Sequence, residues 1–240
     1  MEISLDEPFI RNILDDERSR ASEEIRTLGV MAALERSQQR HDARIASAPD
    51  VATLACRAGC SWCCHFTVDV RPVEVFRILD FVERTFTPEA KEGLFSEVRT
   101  NSTMLRHLDA DERMTRNVKC PFLSAGRCTI YEARPQTCRN YHATNAAGCQ
   151  QSYEDPGNLD IDPDFAPWVY QAGGSHVEAF SNAMREAGFD VDAYELNCAL
   201  DAATTDPAAR ERFEARQKPF PQLAGEEVPS EFSDLDPGDL

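Results

Sequence analysis

The stretch CRAGCSWCCH, Cys56 to His65, places four of the nine cysteines within nine residues, and no other feature limits the fold so tightly. A single cysteine packs well as a small apolar residue, but crowded thiols oxidise or bind metal unless something occupies them. The 240 residues, 42% of them hydrophobic, suffice for an ordinary core without disulfides. The opening MEISLDEPFIRNILDDERSR lacks a basic segment followed by an apolar one. No run of about 18 apolar residues is present to cross a bilayer. A soluble, cytoplasmic protein with no membrane partner is therefore expected. In a reducing cytosol, clustered cysteines in an odd total favour metal ligation over a disulfide framework.

Charge narrows the partners. Acidic residues outnumber basic ones 42 to 25, for a formal charge of −17 that repels phosphate backbones. No nucleic-acid partner is expected. Between Arg113 and His142, however, stand Arg113, Arg116, Lys119, Arg127, Arg134 and Arg139 against the single acid Glu132. This basic island could offset the charge of a metal thiolate or receive an anion; the plainer alternative is six solvated surface charges.

Around the cysteines the pattern is helical. Residues 1–50 place Ile25, Leu28, Met31, Ala32 and Leu34 on one helical face and stop before Pro49. Pro72 and Glu74 suit a first helical turn, followed by Val75, Phe76, Leu79, Val82 and Phe86 at helical spacing. Thr87-Pro88-Glu89 reads as the cap and start of another helix carrying Leu94, Val98, Leu105 and Leu108. Ser-Ala-Gly at 124–126 suggests the turn of a small hairpin, the one β element expected. Residues 146–165, rich in Gly, Asp, Asn and Pro, read as a loop. A capping box, Ser-His-Val-Glu, predicts a helix from Ser175 to Gly188, and two more follow near 192–203 and 207–217. From residue 221 the chain has six acids and no Lys or Arg, the composition of a disordered tail.

Within the first cluster, Cys60-Ser-Trp-Cys63 has the two-residue gap that lets a tight turn aim two sulfurs at one ion. Gly59 supplies the backbone freedom for that turn. Adjacent Cys63 and Cys64 project in different directions on a helix or strand, so one of them is expected to serve a second centre or simply to pack. The second set, Cys120, Cys128, Cys138 and Cys149, is sparse, and its context carries the signal. Cys120 precedes a proline, Cys128 follows Gly-Arg, and Cys138 precedes Arg139. His65 and His142 stand where a nitrogen ligand could complete a site, whereas His41, His107 and His176 lie in helical patterns without partners. Cys198, in ELNCAL, reads as a buried core residue. The metal ligands expected are Cys56, Cys60, Cys63, Cys64, Cys120, Cys128, Cys138 and Cys149. Arg134 and Arg139 are expected beside the cofactor, donating to sulfur or anchoring the hairpin.

Together, CRAGCSWCCH and CPFLSAGRCTIYEARPQTCRNY resemble the YkgJ-like, CxxCxxCC-type cysteine-cluster family, a zinc- or iron-chelating domain. The resemblance covers residues 56–142. It implies Cys56, Cys60, Cys63, Cys64, Cys120, Cys128 and Cys138 as metal ligands, with Tyr131, Arg134, Pro135 and Arg139 as associated non-ligand positions. The chain departs from the family pattern in having three residues between its first two cysteines, and Cys149 and Cys198 fall outside the motif. Flagellin lysine methylases resemble the family in part, which implies enzymes among its relatives.

The expected fold is mainly α, a single helical domain with a small irregular cysteine-rich metal-binding lobe holding at most a short β-hairpin. Residues 1–50 would pack on the core, residues 51–220 would form the metal-binding domain with motifs at 56–65 and 119–142, and 221–240 would be the acidic tail. The expected cofactor is an iron–sulfur cluster or zinc, with iron–sulfur favoured by the number of thiolates and by Cys120-Pro121. Four roles follow from such a centre. The first is a metal-dependent enzyme modifying a peptide or protein side chain. The others are a structural zinc protein serving as an interaction module, a metal carrier, and a radical S-adenosylmethionine enzyme, suggested by Cys-x3-Cys-x-Trp-Cys but requiring strand–helix repeats that the sequence lacks.

Overall fold

The computed structural model describes residues 7–223. The acidic tail expected from residue 221 lies, after its first three residues, outside the described residues. The fold is mainly helical, with two two-stranded antiparallel sheets among the described residues. No helix of the described residues is long and apolar enough to cross a membrane. The strand–helix repeats of a radical S-adenosylmethionine barrel do not appear among them.

Two N-terminal helices, α1 (Glu7–Leu28) and α2 (Val30–Ala46), form an antiparallel pair against the long α8 (Pro167–Glu186). The continuous helical pattern of residues 1–50 is broken at Gly29, whose φ of 86° ends α1 and lets the chain reverse. The helical stripe is correspondingly imperfect, since Ile25 and Leu34 are buried while Leu28 is exposed. Buried Glu17 on α1 accepts two bonds from Arg40 of α2, at 2.6 and 2.8 Å, so the pair is fixed by charge as well as packing.

The remaining helices cover the other side of the core. Helices α3 (Pro72–Thr85) and α4 (Pro88–Leu105) begin where the sequence predicts them. The Thr87 hydroxyl caps α4 by accepting from Ala90 N. After the short α5 (Ala110–Met114) come strands β2 (Leu123–Ser124) and β3 (Arg127–Cys128), then α6 (Gln136–Asn140) and α7 (Ala146–Glu154). The chain ends with α9 (Leu196–Thr205) packed on α4, and α10 (Ala209–Glu214). Phe76 of α3 stacks near Phe213 and Phe220, which closes the core at this end.

Three local expectations are corrected. The predicted loop 146–165 contains α7, started by the Asn145 side chain accepting from Ala147 N, so Cys149 sits on a helix. The capping box at Ser175 is not one: Ser175 is buried in the middle of α8 and donates to Gln171 O. Helix α8 starts instead at Pro167, and the Asp50 carboxylate caps it by accepting from Trp168 N and Val169 N at 2.8 and 3.2 Å. The hairpin is not the one β element either. Strand β1 (Asp69–Val70) pairs with β4 (Tyr194–Glu195) in the register Asp69↔Glu195, tying the end of the first cysteine segment to α9.

Candidate metal centre

The cysteine segments are woven together by backbone bonds before any side chain is considered. Gly59, with φ 92°, reverses the chain, and Cys60 N donates to Arg57 O. A 3-10 turn, Trp62–His65, then carries Cys63 and Cys64. The second segment lies alongside: Val118 N donates to His65 O at 2.7 Å and Cys120 N to Cys64 O at 2.8 Å. Strands β2 and β3 turn through Ala125 and Gly126, both at positive φ as a tight hairpin turn requires, and Cys128 pairs with Leu123. The hairpin tip stands against the first turn, since a Cβ on Gly126 would be 3.8 Å from Gly59 O.

Cys138 arrives on α6, whose position Glu74 fixes. Buried Glu74 accepts from Arg71 N at 2.8 Å, starting α3, and from Gln136 N at 2.6 Å, starting α6. Its role therefore exceeds the helix-dipole complement that the sequence suggests. A further stretch returns to the first cluster, where Ala55 N donates to Ala143 O at 2.9 Å and the Cys56 thiol points at the same oxygen. Helix α7 then lays Tyr153 against both Trp62 and His65, with ring centroids at 5.3 and 4.8 Å.

These connections bring eight of the nine cysteines into one lobe, all as free thiols. Cys64, Cys120, Cys128 and Cys138 lie within electrostatic range of one another, and Cys56, Cys60 and Cys149 form a second such set. Cys63 touches Cys64 and feels Cys56 and Cys138. Among the described residues, no three His, Cys, Asp or Glu side chains are arranged to hold a metal ion as they stand. The donor set fits zinc or iron in chemistry and number, and its sulfurs must draw together on loading.

Burial dominates the acidity of these thiols. It pushes Cys120 up to about 12 and Cys149 up to about 11, and raises Cys138 well above the usual thiol range. Cys128 is raised less freely, because Ile130 N–H donates to it and Arg134 and Arg139 favour its thiolate. The contacting pair behaves differently. Hydrogen bonding between Cys63 and Cys64 lets the pair lose a first proton early, with Cys64 lowered, while the second is held high. A metal must displace most of these protons to bind.

Arg139 is almost fully buried and committed to the fold. Its guanidinium donates to Asp42 Oδ2 at 2.5 Å, to Arg134 O at 3.2 Å and to Glu132 O. Arg134 covers the Tyr131 ring at 3.8 Å. Most of the basic island is similarly engaged, as with Lys119, which pairs with Glu97 at 2.9 Å. The two histidines that could complete a site have other neighbours. His65 is turned to Ser61 O, and His142 stands near Arg134, His41 and Asp42. Cys198 is buried elsewhere, against Leu105 and Val118, with its thiol directed at Ser102 O. Sequence reasoning missed Asp42 and Tyr153. Nothing marks Asp42 among the charges of its helix, whereas Tyr153, four residues after Cys149, becomes visible once that region is read as helical.

Comparison with known proteins bears on the same segment. No curated protein and no solved structure matches the chain. A family model does: residues 55–157 match CxxCxxCC, described as "Putative zinc- or iron-chelating domain". The matched span extends past the motif at 56–142 to include α7 and Cys149. The cysteine lobe of this chain is thus a match to the CxxCxxCC zinc- or iron-chelating domain, and metal chelation is the chemistry that this match supports.

Proposed function

We propose that the lobe is a thiolate metal centre, holding iron as an iron–sulfur cluster or zinc through Cys56, Cys60, Cys63, Cys64, Cys120, Cys128, Cys138 and Cys149. One observation carries the reading: eight free thiols from chain segments up to 93 residues apart are gathered in one lobe, with Arg134 and Arg139 favouring the Cys128 thiolate. Sulfur-only donors suit both metals, and their number together with Cys120-Pro121 inclines the choice to iron–sulfur. Residues 51–220 would then be the metal-binding unit, on which the 1–50 segment packs.

Among the roles open to such a centre, one coupled to folding is favoured by the bonds around Cys138. Its helix, α6, is held to α3 by Glu74 and to α2 by Arg139 and Asp42, so drawing Cys138 toward a metal engages the helical body. Elemental analysis and an absorption spectrum of protein purified without oxygen test the reading. Bound iron with sulfide and visible absorption is expected. Colourless protein with tightly bound zinc selects the zinc form, and protein carrying neither metal contradicts the reading.

A further inference from the structure

We infer that the lobe holds two metal centres, one on Cys64, Cys120, Cys128 and Cys138 and the other on Cys56, Cys60, Cys63 and Cys149. The inference rests on the thiolate reading above and adds the number of centres and the ligands of each.

Ligand number comes first. A mononuclear zinc site or a [4Fe–4S] cluster takes four thiolates, and eight are present in the lobe. The backbone divides them. In the first set, Cys120 N bonds to Cys64 O, Cys128 follows on the hairpin begun after Cys120, and Cys138 arrives through the α6 start held by Glu74. In the second, Cys56 is fixed against Ala143 O, Cys60 closes the Gly59 turn, and α7 is seated on the Trp62–His65 turn by Tyr153. Cys149 precedes Tyr153 by four residues, so it shares that face of α7 and is buried there. The mutual electrostatic neighbours follow the same division, with Cys149 near Cys56 and Cys60 and Cys138 near Cys64, Cys120 and Cys128.

Cys63 and Cys64 are the seam. They are adjacent in sequence and their thiols touch; Cys63 lies near Cys138 of the first set and Cys56 of the second, while Cys64 lies near Cys120, Cys128 and Cys138. One peptide unit then supplies a ligand to each centre. With Cys64 grouped with Cys120, Cys128 and Cys138, Cys63 is the fourth thiol left for Cys56, Cys60 and Cys149.

The test is a titration of the full reduced, metal-free chain with Co2+, read by its thiolate charge-transfer and ligand-field absorption. The native chain is expected to take up two equivalents in tetrathiolate form. Cys149→Ser and Cys56→Ser should each retain one equivalent with an undiminished tetrathiolate spectrum, as should Cys128→Ser, and Cys128→Ser/Cys149→Ser should retain none. The surviving half-signal itself reports that a variant is folded, and exposed Cys56 provides a mild second probe should Cys149→Ser fail to fold. A native chain saturating at one equivalent overturns the inference while leaving the thiolate reading intact. Two full sites in both Cys149→Ser and Cys56→Ser also overturn it. No thiolate-bound Co2+ at all overturns the thiolate reading and this inference together.

Discussion

The Arg139 guanidinium stands 2.5 Å from Asp42 Oδ2, joining the residue after Cys138 to a helix 97 positions away. Arg139 is 3% exposed, so its charge depends on that carboxylate and on the carbonyls of Glu132 and Arg134. Breaking a fully buried ion pair costs roughly 3–5 kcal/mol, but Asp42 is half exposed and water replaces part of the loss. Asp42→Asn is therefore expected to cost about 2 kcal/mol by denaturant unfolding and to lower metal retention under chelator challenge. A variant as stable as the native chain would show that the pair does not anchor α6.

The same pair predicts acid sensitivity. Burial alone would raise the Asp42 carboxyl, but the neighbouring His41 imidazole, the hydrogen bond from Arg139 and the charges of Arg139 and Arg134 hold it far below the carboxylate range. A depressed folded-state pKa stabilises above the unfolded value, about 3.9, and is lost as pH falls below it. The stabilities of native and Asp42→Asn proteins should thus draw together progressively as the pH falls below about 4, meeting only once it has passed below the depressed folded-state value. An unchanged gap there would contradict the assignment.

A second titration lies between helices. His176 is buried, donates from Nε2 to Ser37 O at 2.9 Å, and leaves Nδ1 unpartnered. Burial, with the nearby charges of His41 and Arg44, pushes its pKa far down, although Glu17 at 3.6 Å opposes the trend. The unfolded chain takes up this proton below about pH 6.5, so stability should fall by about 2 kcal/mol from pH 7 to pH 5. His176→Gln should flatten that part of the profile in urea titrations, and an equally steep profile would refute the neutral histidine.

Gly173 is one of the points where α8 meets α6; at another, Asn140 Nδ2 donates to Tyr170 O. A Cβ on Gly173 would lie 1.8 Å from Asn140 Oδ1, two residues after Cys138. Alanine in a helix is favoured over glycine by about 1 kcal/mol, but overpacking costs about 1–3 kcal/mol and the clash is severe. Gly173→Ala should destabilise by about 2 kcal/mol net. Adding Asn140→Ala should recover most of the loss if the clash is its cause; failure to recover would place the cost elsewhere.

Cys198 separates packing from ligation. It is buried with Leu105 and Val118, and no other cysteine is among its electrostatic neighbours. Cys198→Ala should leave metal content unchanged at a cost of about 1 kcal/mol or less. Loss of bound metal would show that its assignment to the core is wrong.

Helices α3 and α4 were legible because Pro72 and Thr87-Pro88 are local start signals and the apolar stripes behind them are clean. Strands β1 and β4 were not, since each is two residues long and finds its partner more than 120 residues away. Helix α7 escaped because Gly148 and the surrounding Asn and Asp residues imitate a loop. Ser175 misled for a related reason: serine caps helices, yet inside one it can donate to the preceding turn. The cysteines themselves were legible as a set. Their neighbours Asp42, Gly173 and Tyr153 are defined by tertiary contact, which no spacing along the chain reveals.

X-ray absorption at the metal edge of the full chain, purified without oxygen, tests the central claim most directly. A first coordination shell made of sulfur alone, at about 2.3 Å, is the expected result. A first shell of nitrogen and oxygen would contradict it.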